Sequence, residues 1–230
     1  MGAPAYPQSS PLEPLRRSLV RAAGRARVYD ESITHPRFAR TTRGIDMAHQ
    51  IAVVVGSLRK DSFNRQLAHA VTSLAPADFS FQFLDIGVLP LYCQDYDADY
   101  PEVARKFKQQ IEAADALLFV TPEYNRSMPG VLKNAIDWGS RPWGKNSWSG
   151  KPAGVLGTSV GAIGTAIAQQ HLRGVLAYLD VPTLGQPEMF IKHDPAKINE
   201  KGEILADDMR KFLQTFIDRY AAWVHRQTGR

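Results

Sequence analysis

From residue 51 onward the chain alternates short apolar runs with longer stretches in which apolar residues recur every three or four positions. Such short runs predict buried strands, and the longer stretches predict amphipathic helices. Residues 51–55 (IAVVV) are apolar throughout and β-branched apart from Ala52, which predicts a strand covered on both faces. Residues 63–74 then place Phe63, Leu67, Ala70, Val71 and Leu74 on one helical face. A second strand is predicted over 79–85, where Phe79, Phe81 and Phe83 alternate with polar residues as on a sheet edge. Prolines, tyrosines and aspartates break every period in 86–101, so that stretch reads as an irregular connection. A helix over 102–114 leads to a third strand at 116–120 (ALLFV), again apolar throughout and therefore central. The loop 121–130 precedes a helix over 129–138, with Pro129 suited to its first turn. The fourth strand is expected at 152–156, a small-residue loop at 157–164, a helix at 166–179 and the fifth strand within 183–191. The last helix, 206–226, presents Met209, Phe212, Leu213, Phe216, Ile217, Tyr220 and Trp223 as a core face. Strands alternating with helices predict a doubly wound parallel α/β sheet with helices on both faces.

Charge changes this picture mainly at one end. The 230 residues carry a formal charge of +5 and a pI near 9.3, which would suit an acidic partner. Eight of the 28 basic and four of the 23 acidic residues precede Met47, leaving 20 and 19 for the rest. The predicted domain, 47–230, is therefore nearly neutral and the basicity belongs to the tail, 1–46, which is rich in proline and arginine and offers little to a core. Three readings of the tail stand side by side: translation beginning at Met47, a disordered or partner-docking arm, and a transit peptide. Nucleic-acid binding would rest on the charge of this tail alone. No apolar run approaches the roughly 20 residues that span a bilayer. A single cysteine, Cys93, excludes an internal disulfide and fits a reducing, cytoplasmic setting.

The candidate chemistry lies in the loops that follow the strands. After the first strand, GSLRKDSFN places a glycine and a turn rich in hydrogen-bond donors directly before a helix. Helix N-termini of this kind hold phosphates, with Ser57, Ser62 and Asn64 as neutral donors and Arg59 as a charged one. The same residues also fit a simpler role, Ser62 as a helix N-cap and Arg59 in solvent. Neither GxGxxG nor GxxxxGK[ST] occurs here, so neither the dinucleotide fingerprint nor a triphosphate loop is present. In open α/β sheets ligands bind outside the carboxyl ends of the strands where the chain order reverses, so the loop TPEYNRSMPG after the third strand should lie beside the first. The small residues of GTSVGAIG after the fourth strand would let a flat ligand approach the backbone.

GSLRKDSFN together with TPEYNRSMPGVLKNAIDW resembles the NADPH-dependent FMN reductase family, in particular its bacterial chromate and quinone reductases of flavodoxin-like fold. The resemblance runs from about residue 50 to the C-terminus. It implies strand order 2-1-3-4-5, one non-covalent FMN per subunit, and ping-pong hydride transfer from NADPH through flavin N5 to quinones, chromate, azo compounds or free flavin. It assigns the FMN phosphate to Ser57, Arg59, Ser62, Phe63 and Asn64. Pro122, Glu123, Tyr124 and Asn125 would lie along the isoalloxazine ring, with Thr158, Ser159 and Gly161 bounding its other side. It also implies a homodimer or a dimer of dimers, with no nucleic acid and no membrane as partner. Arg126 departs from the usual aromatic or small residue, and is expected at a subunit interface, on the acidic groups of the nicotinamide substrate, or in solvent. No side chain is nominated as a general acid or base, because the cofactor carries the chemistry.

Other residues invite assignments that their spacing does not support. His171 lies in a helix with no second ligand in register and reads as a capped or buried histidine, and the six histidines show no HxH or HExxH spacing, so no metal is expected. Glu123 and Asp137 have no defined geometry as an acid/base pair, and a backbone or interface role suits Glu123 better. Trp138, Trp143 and Trp148 are expected in a loop packed on the sheet edge or on a neighbouring subunit. The alternative function on the same fold is a flavodoxin-type one-electron carrier, against which Arg59 and the near-neutral domain both speak.

Overall fold

A computed structural model describes residues 48–230; the expectations for 1–46 and for a start at Met47 concern residues outside that range. The strands are β1 (His49–Val55), β2 (Phe79–Phe83), β3 (Ala116–Val120), β4 (Ala153–Ser159) and β5 (Phe190–Lys192). The helices are α1 (Phe63–Thr72), α2 (Glu102–Ala113), α3 (Gly130–Ser140), α4 (Ala166–Tyr178) and α5 (Asp207–Thr228). All five strands are parallel, in the order β2-β1-β3-β4-β5. This is the flavodoxin-like order 2-1-3-4-5, and the chain reverses direction across the sheet between β1 and β3.

Alternation along the central strands divides the core in two. Ile51, Val53 and Val55 face one side, where α1 and α5 cover them with Leu67, Val71, Leu213, Phe216 and Ile217. Ala52 and Val54 face the other, under α2, α3 and α4. A strand buried on both faces can therefore carry an unbroken apolar run, which is why 51–55 and 116–120 were readable as central strands. β2 lies at an edge and keeps its alternation. Among the described residues, no helix is long and apolar enough to cross a membrane.

Four details depart from the pattern reading. β4 continues past residue 156 through Thr158 and Ser159, because β5 pairs with it at Gly157–Phe190, Thr158–Ile191 and Ser159–Lys192. Part of the expected loop is thus strand, and β5 itself is confined to three residues beginning at Phe190. The connection 86–101 holds one turn of 3-10 helix, Gln94–Asp97, and is fastened to α3: Trp138 Nε1 and Asn134 Nδ2 both donate to the Pro90 carbonyl, at 2.7 and 2.9 Å. Pro129 takes the N-cap position of α3, one residue before the helix proper. On α5, Phe212 is 42% exposed, while Ala221 and Val224 complete the buried face.

The tryptophans also separate. Trp138 and Trp148 are fully buried, Trp148 packing against Phe107 and Phe119 with its Nε1 donating 3.0 Å to the Ile136 carbonyl, whereas Trp143 is 80% exposed. Two of the three are therefore core anchors of the α2/α3 layer, which their glycine-rich surroundings concealed.

β4 passes so close to the end of β3 that a Cβ on Gly157 would lie 2.1 Å from the Thr121 carbonyl oxygen and 2.4 Å from Thr165 Oγ1. Backbone cannot yield cheaply at that distance. Gly157→Ala should destabilise the domain by about 3 kcal/mol, read as a lowered denaturant midpoint at an unchanged slope.

Candidate functional site

The loops after β1, β3 and β4 converge at the carboxyl ends of the strands. The first, 56–62, leaves β1 at Gly56, whose N–H donates to the Val120 carbonyl at the end of β3. It enters α1 at Ser62, whose hydroxyl accepts from Arg65 N–H at 3.3 Å and so acts as the N-cap. The first intrahelical bonds run from the N–H groups of Arg65 and Gln66 to the Ser62 carbonyl, leaving those of Phe63 and Asn64 without an acceptor inside the helix. These free donors lie at the positive end of the α1 dipole, an arrangement that suits an anion. Ser57 is buried beside them, and Arg59 lies over the Phe63 ring with its guanidinium carbon 4.1 Å from the centroid. Arg59 also donates to the Asp61 carbonyl, which curls its side chain back over the loop.

Asn64 does something other than offer a free side-chain donor. Its amide is buried and held at both ends: Nδ2 donates to the Thr158 carbonyl and Oδ1 accepts from Thr158 N–H, both at 2.9 Å. The side chain therefore joins the start of α1 to the end of β4, while its backbone N–H stays unpaired within the helix. Thr158 Oγ1, by contrast, is buried with no partner. It lines a small cavity with Phe63, Gln66, Leu67 and Ile191, and a buried hydroxyl left unpaired costs on the order of 1–3 kcal/mol. Ser159 Oγ accepts from Gly161 N–H at 3.2 Å and donates to the Gly164 carbonyl at 2.6 Å, holding the third loop in a tight turn.

The second loop is a two-residue turn between Tyr124 and Ser127, which exchange two backbone hydrogen bonds of 2.9 Å. Asn125 and Arg126 have φ of 50° and 62°, the arrangement of a type I′ turn. Asparagine tolerates that region; arginine does so at a cost of about 1 kcal/mol. The turn is held from outside. Glu123, almost completely buried, accepts through Oε2 from the N–H groups of Ile167 and Ala168 at 3.0 and 3.1 Å, capping α4 where the helix dipole favours a carboxylate. Its Oε1 pairs with Arg126 at 3.3 Å, leaving Arg126 71% exposed. His171 of α4 is exposed, and its Nδ1 lies 3.0 Å from Ser127 Oγ, so it fastens the same turn instead of being buried in its helix. Asp137 is paired with Lys133 at 2.8 Å and does not approach Glu123 as an acid/base partner would.

One residue of this cluster escaped the sequence reading. His193, just beyond β5, stacks on Phe63 with ring centroids 3.5 Å apart, and its N–H donates to the Ser159 carbonyl at 2.7 Å. Burial lowers its pKa, Arg59 adds to the effect and Asp194 opposes it, so the neutral ring is favoured. Its position after the carboxyl end of a strand was the available signal. The first loop thus rests on a stack of Arg59, Phe63 and His193.

The donor set suits a phosphate attached to a flat aromatic group. Free N–H groups, Ser57 and Arg59 offer donors to an anion, and Tyr124, Val160 and Ile163 leave apolar surface exposed around the loops.

Comparison with known proteins gives concordant matches. The family model described as NADPH-dependent FMN reductase matches residues 49–196. The chain is 72% identical over 178 residues to a 2-hydroxy-1,4-benzoquinone reductase of a Burkholderia species, covering 77% of this chain and 97% of that protein. It is 48% identical over 181 residues to a quinone reductase of Pseudomonas putida, covering 78% and 97%. Among solved structures, FerB, a flavoenzyme NAD(P)H:(acceptor) oxidoreductase from Paracoccus denitrificans, superposes with a TM-score of 0.76 at 44% identity, covering 78% of this chain and 99% of that one.

Replacing Asn64 by alanine would strand the Thr158 N–H and carbonyl. Asn64→Ala should lower the unfolding free energy by roughly 2–3 kcal/mol. Hydrogen exchange at Thr158 should accelerate, and an unchanged rate there would show that the amide does not hold the two loops together.

Proposed function

On the premise that this chain belongs to the NADPH-dependent FMN reductase family, we propose a specific division of labour for the loops at the carboxyl ends of β1, β3 and β4. The protein is an FMN- and NAD(P)H-dependent oxidoreductase of the quinone reductase type. Bound FMN would supply the redox chemistry, with the side chains holding and orienting it. The observation that carries the division of labour is the convergence of the free α1 N-terminus, the capped 121–130 turn and the 157–164 loop at the carboxyl ends of the strands.

In this reading Ser57, Arg59, Ser62 and the backbone N–H groups of Phe63 and Asn64 hold the phosphate. Phe63 and His193 support Arg59 from beneath. Pro122, Glu123, Tyr124 and Asn125 lie along the ring, with Glu123 contributing through the α4 cap that keeps the turn in place. Thr158, Ser159 and Gly161 bound the other side. Fixed N–H donors in a site that excludes water stabilise developing negative charge without reorganising, which is the protein's main contribution. No acid or base from a side chain is required.

Arg126 is positioned to attract the nicotinamide donor. Its side chain is 71% exposed and makes a single 3.3 Å contact with Glu123, whose other oxygen caps α4, so Arg126 can turn to a phosphate without freeing Glu123. Donor and acceptor use the same open face in turn, which gives ping-pong kinetics. Quinones are the leading acceptors; chromate, azo compounds and free flavin fit the same permissive face. A homodimer, or two dimers forming a tetramer, fits the α3–α4 side. Tyr178 is largely exposed there, beside a cleft of about 450 Å³ lined by Lys133, His171 and Val175. A cytoplasmic setting accords with the exposed free Cys93. The alternative, a flavodoxin-type one-electron carrier, is disfavoured by Arg59 in the phosphate loop and by the nearly balanced charge of 47–230.

Anaerobic addition of NADPH to the FMN-loaded protein should bleach the flavin band, and a quinone should restore it, with parallel double-reciprocal plots. A bound flavin that NADPH cannot bleach would favour the electron carrier, and intersecting plots would rule out ping-pong. Arg126→Ala should raise KM for NADPH several-fold at low salt with little change in kcat, the difference shrinking as salt screens the charge. An unaltered KM would leave Arg126 as a turn residue.

A further inference from the structure

At the opposite ends of the strands, remote from the loops described above, three side chains from distant parts of the chain meet. His49 begins β1, Asp78 immediately precedes β2, and His225 lies in the last turns of α5. His225 Nε2 is 2.8 Å from Asp78 Oδ2, and His49 Nδ1 is 3.8 Å from the same oxygen. One ligand atom from each residue lies within 4.8 Å of the others. The seven residues of β1 separate this cluster from Gly56 by roughly 20 Å at the usual strand rise.

The hydrogen bonds around His49 decide what the cluster lacks. Thr228 Oγ1 lies 2.9 Å from the Val224 carbonyl and 3.0 Å from His49 Nε2; assigned as donor to the carbonyl, the hydroxyl accepts from Nε2. Nε2 therefore carries the ring proton, and Nδ1 presents a bare lone pair. That atom is buried without a partner, in a residue only 3% exposed, and it faces a carboxylate oxygen. Two acceptors in apposition require a positive charge between them. The nearby Asp115 is already bound to Arg230 at 2.5 Å, so Asp78 is the carboxylate left to that charge.

We propose that His49 Nδ1, Asp78 Oδ2 and His225 Nε2 bind one divalent transition-metal ion of the zinc type, with water as the fourth ligand. Two imidazole nitrogens and a carboxylate are a zinc-like donor set, and bonds of about 2.0–2.2 Å make tetrahedral edges of about 3.3 Å, between the two separations measured to Asp78. The Asp78 and His225 side chains are partly exposed and can turn to close the remaining gap, while buried His49, stacked on Phe79, is fixed. Thr228 is the positioning residue, holding the His49 tautomer as outer-shell partners of ligating histidines do. The ion would staple the end of α5 to the edge of the sheet, joining residues 147 positions apart. Its role is structural.

The test uses the full-length, FMN-loaded protein, chelator-treated and titrated with zinc chloride, with Co2+ as a spectroscopic probe. One Zn2+ should bind per chain and raise Tm by roughly 5–10 °C at free zinc a hundred times the dissociation constant. Co2+ should give the visible bands of a tetrahedral site. Asp78→Asn and His225→Ala should abolish both responses while leaving quinone reductase turnover intact, and Thr228→Val should weaken zinc binding about tenfold. Each variant is compared with itself with and without metal, so a general loss of stability does not confound the reading. An equal Tm rise in the ligand variants would place the ion elsewhere. No rise and no Co2+ bands in the unsubstituted protein would show that a proton alone holds the cluster together; either result overturns the proposal.

Discussion

The two hydrogen bonds between the Asn64 amide and the backbone of Thr158 set the geometry on which the rest of the site depends. They join the first turn of α1 to the last residues of β4, across a separation of 94 positions in sequence. Both groups are buried, so each bond is made without competition from water. A side chain that satisfies an N–H and a carbonyl of one residue behaves as an added strand neighbour. It extends the order of the sheet into the loops, and the N-terminus of α1 is thereby aimed at the space beside β4.

The second loop is positioned by an electrostatic device of a different kind. Glu123 places its carboxylate on the N-terminus of α4, where two backbone donors and the helix dipole converge. This anchors the turn that carries Tyr124, Asn125 and Arg126, and it offsets part of the strain of an arginine in the left-handed region. His171 adds a further tie through Ser127. A residue that invites assignment as a catalytic acid is thus engaged as a helix cap, which accords with a reaction whose chemistry resides in the flavin.

At the other edge of the sheet, the His49, Asp78 and His225 cluster shows the same economy of polar groups. His49 Nδ1 is buried without a partner and faces the Asp78 carboxylate at 3.8 Å. Among the described residues, Thr158 Oγ1, Ser80 Oγ, Gln169 Oε1 and Arg173 Nε are likewise buried without a partner.

Much of this was legible in the chain before any coordinates. Apolar runs at 51–55 and 116–120 could only be doubly covered strands, because burial on both faces is what permits an unbroken apolar sequence. The donor-rich turn before residue 63 indicated a helix start capped by Ser62, whose first N–H groups are unpaired. The paired motifs around Arg59 and Glu123 indicated the family. What tertiary structure alone decided concerns partners that local pattern does not encode. Asn64 could be read as a free donor until Thr158 was seen to occupy it. His193 came into the site only because β5 ends beside α1, and Trp148 entered the core only because Gly139 leaves room for its ring. His49 and His225 stand 176 positions apart in the sequence and have no spacing to recognise. Periodicity and turn chemistry are properties of neighbours along the chain, whereas hydrogen-bond partners, stacking and metal-ligand geometry arise from neighbours in space.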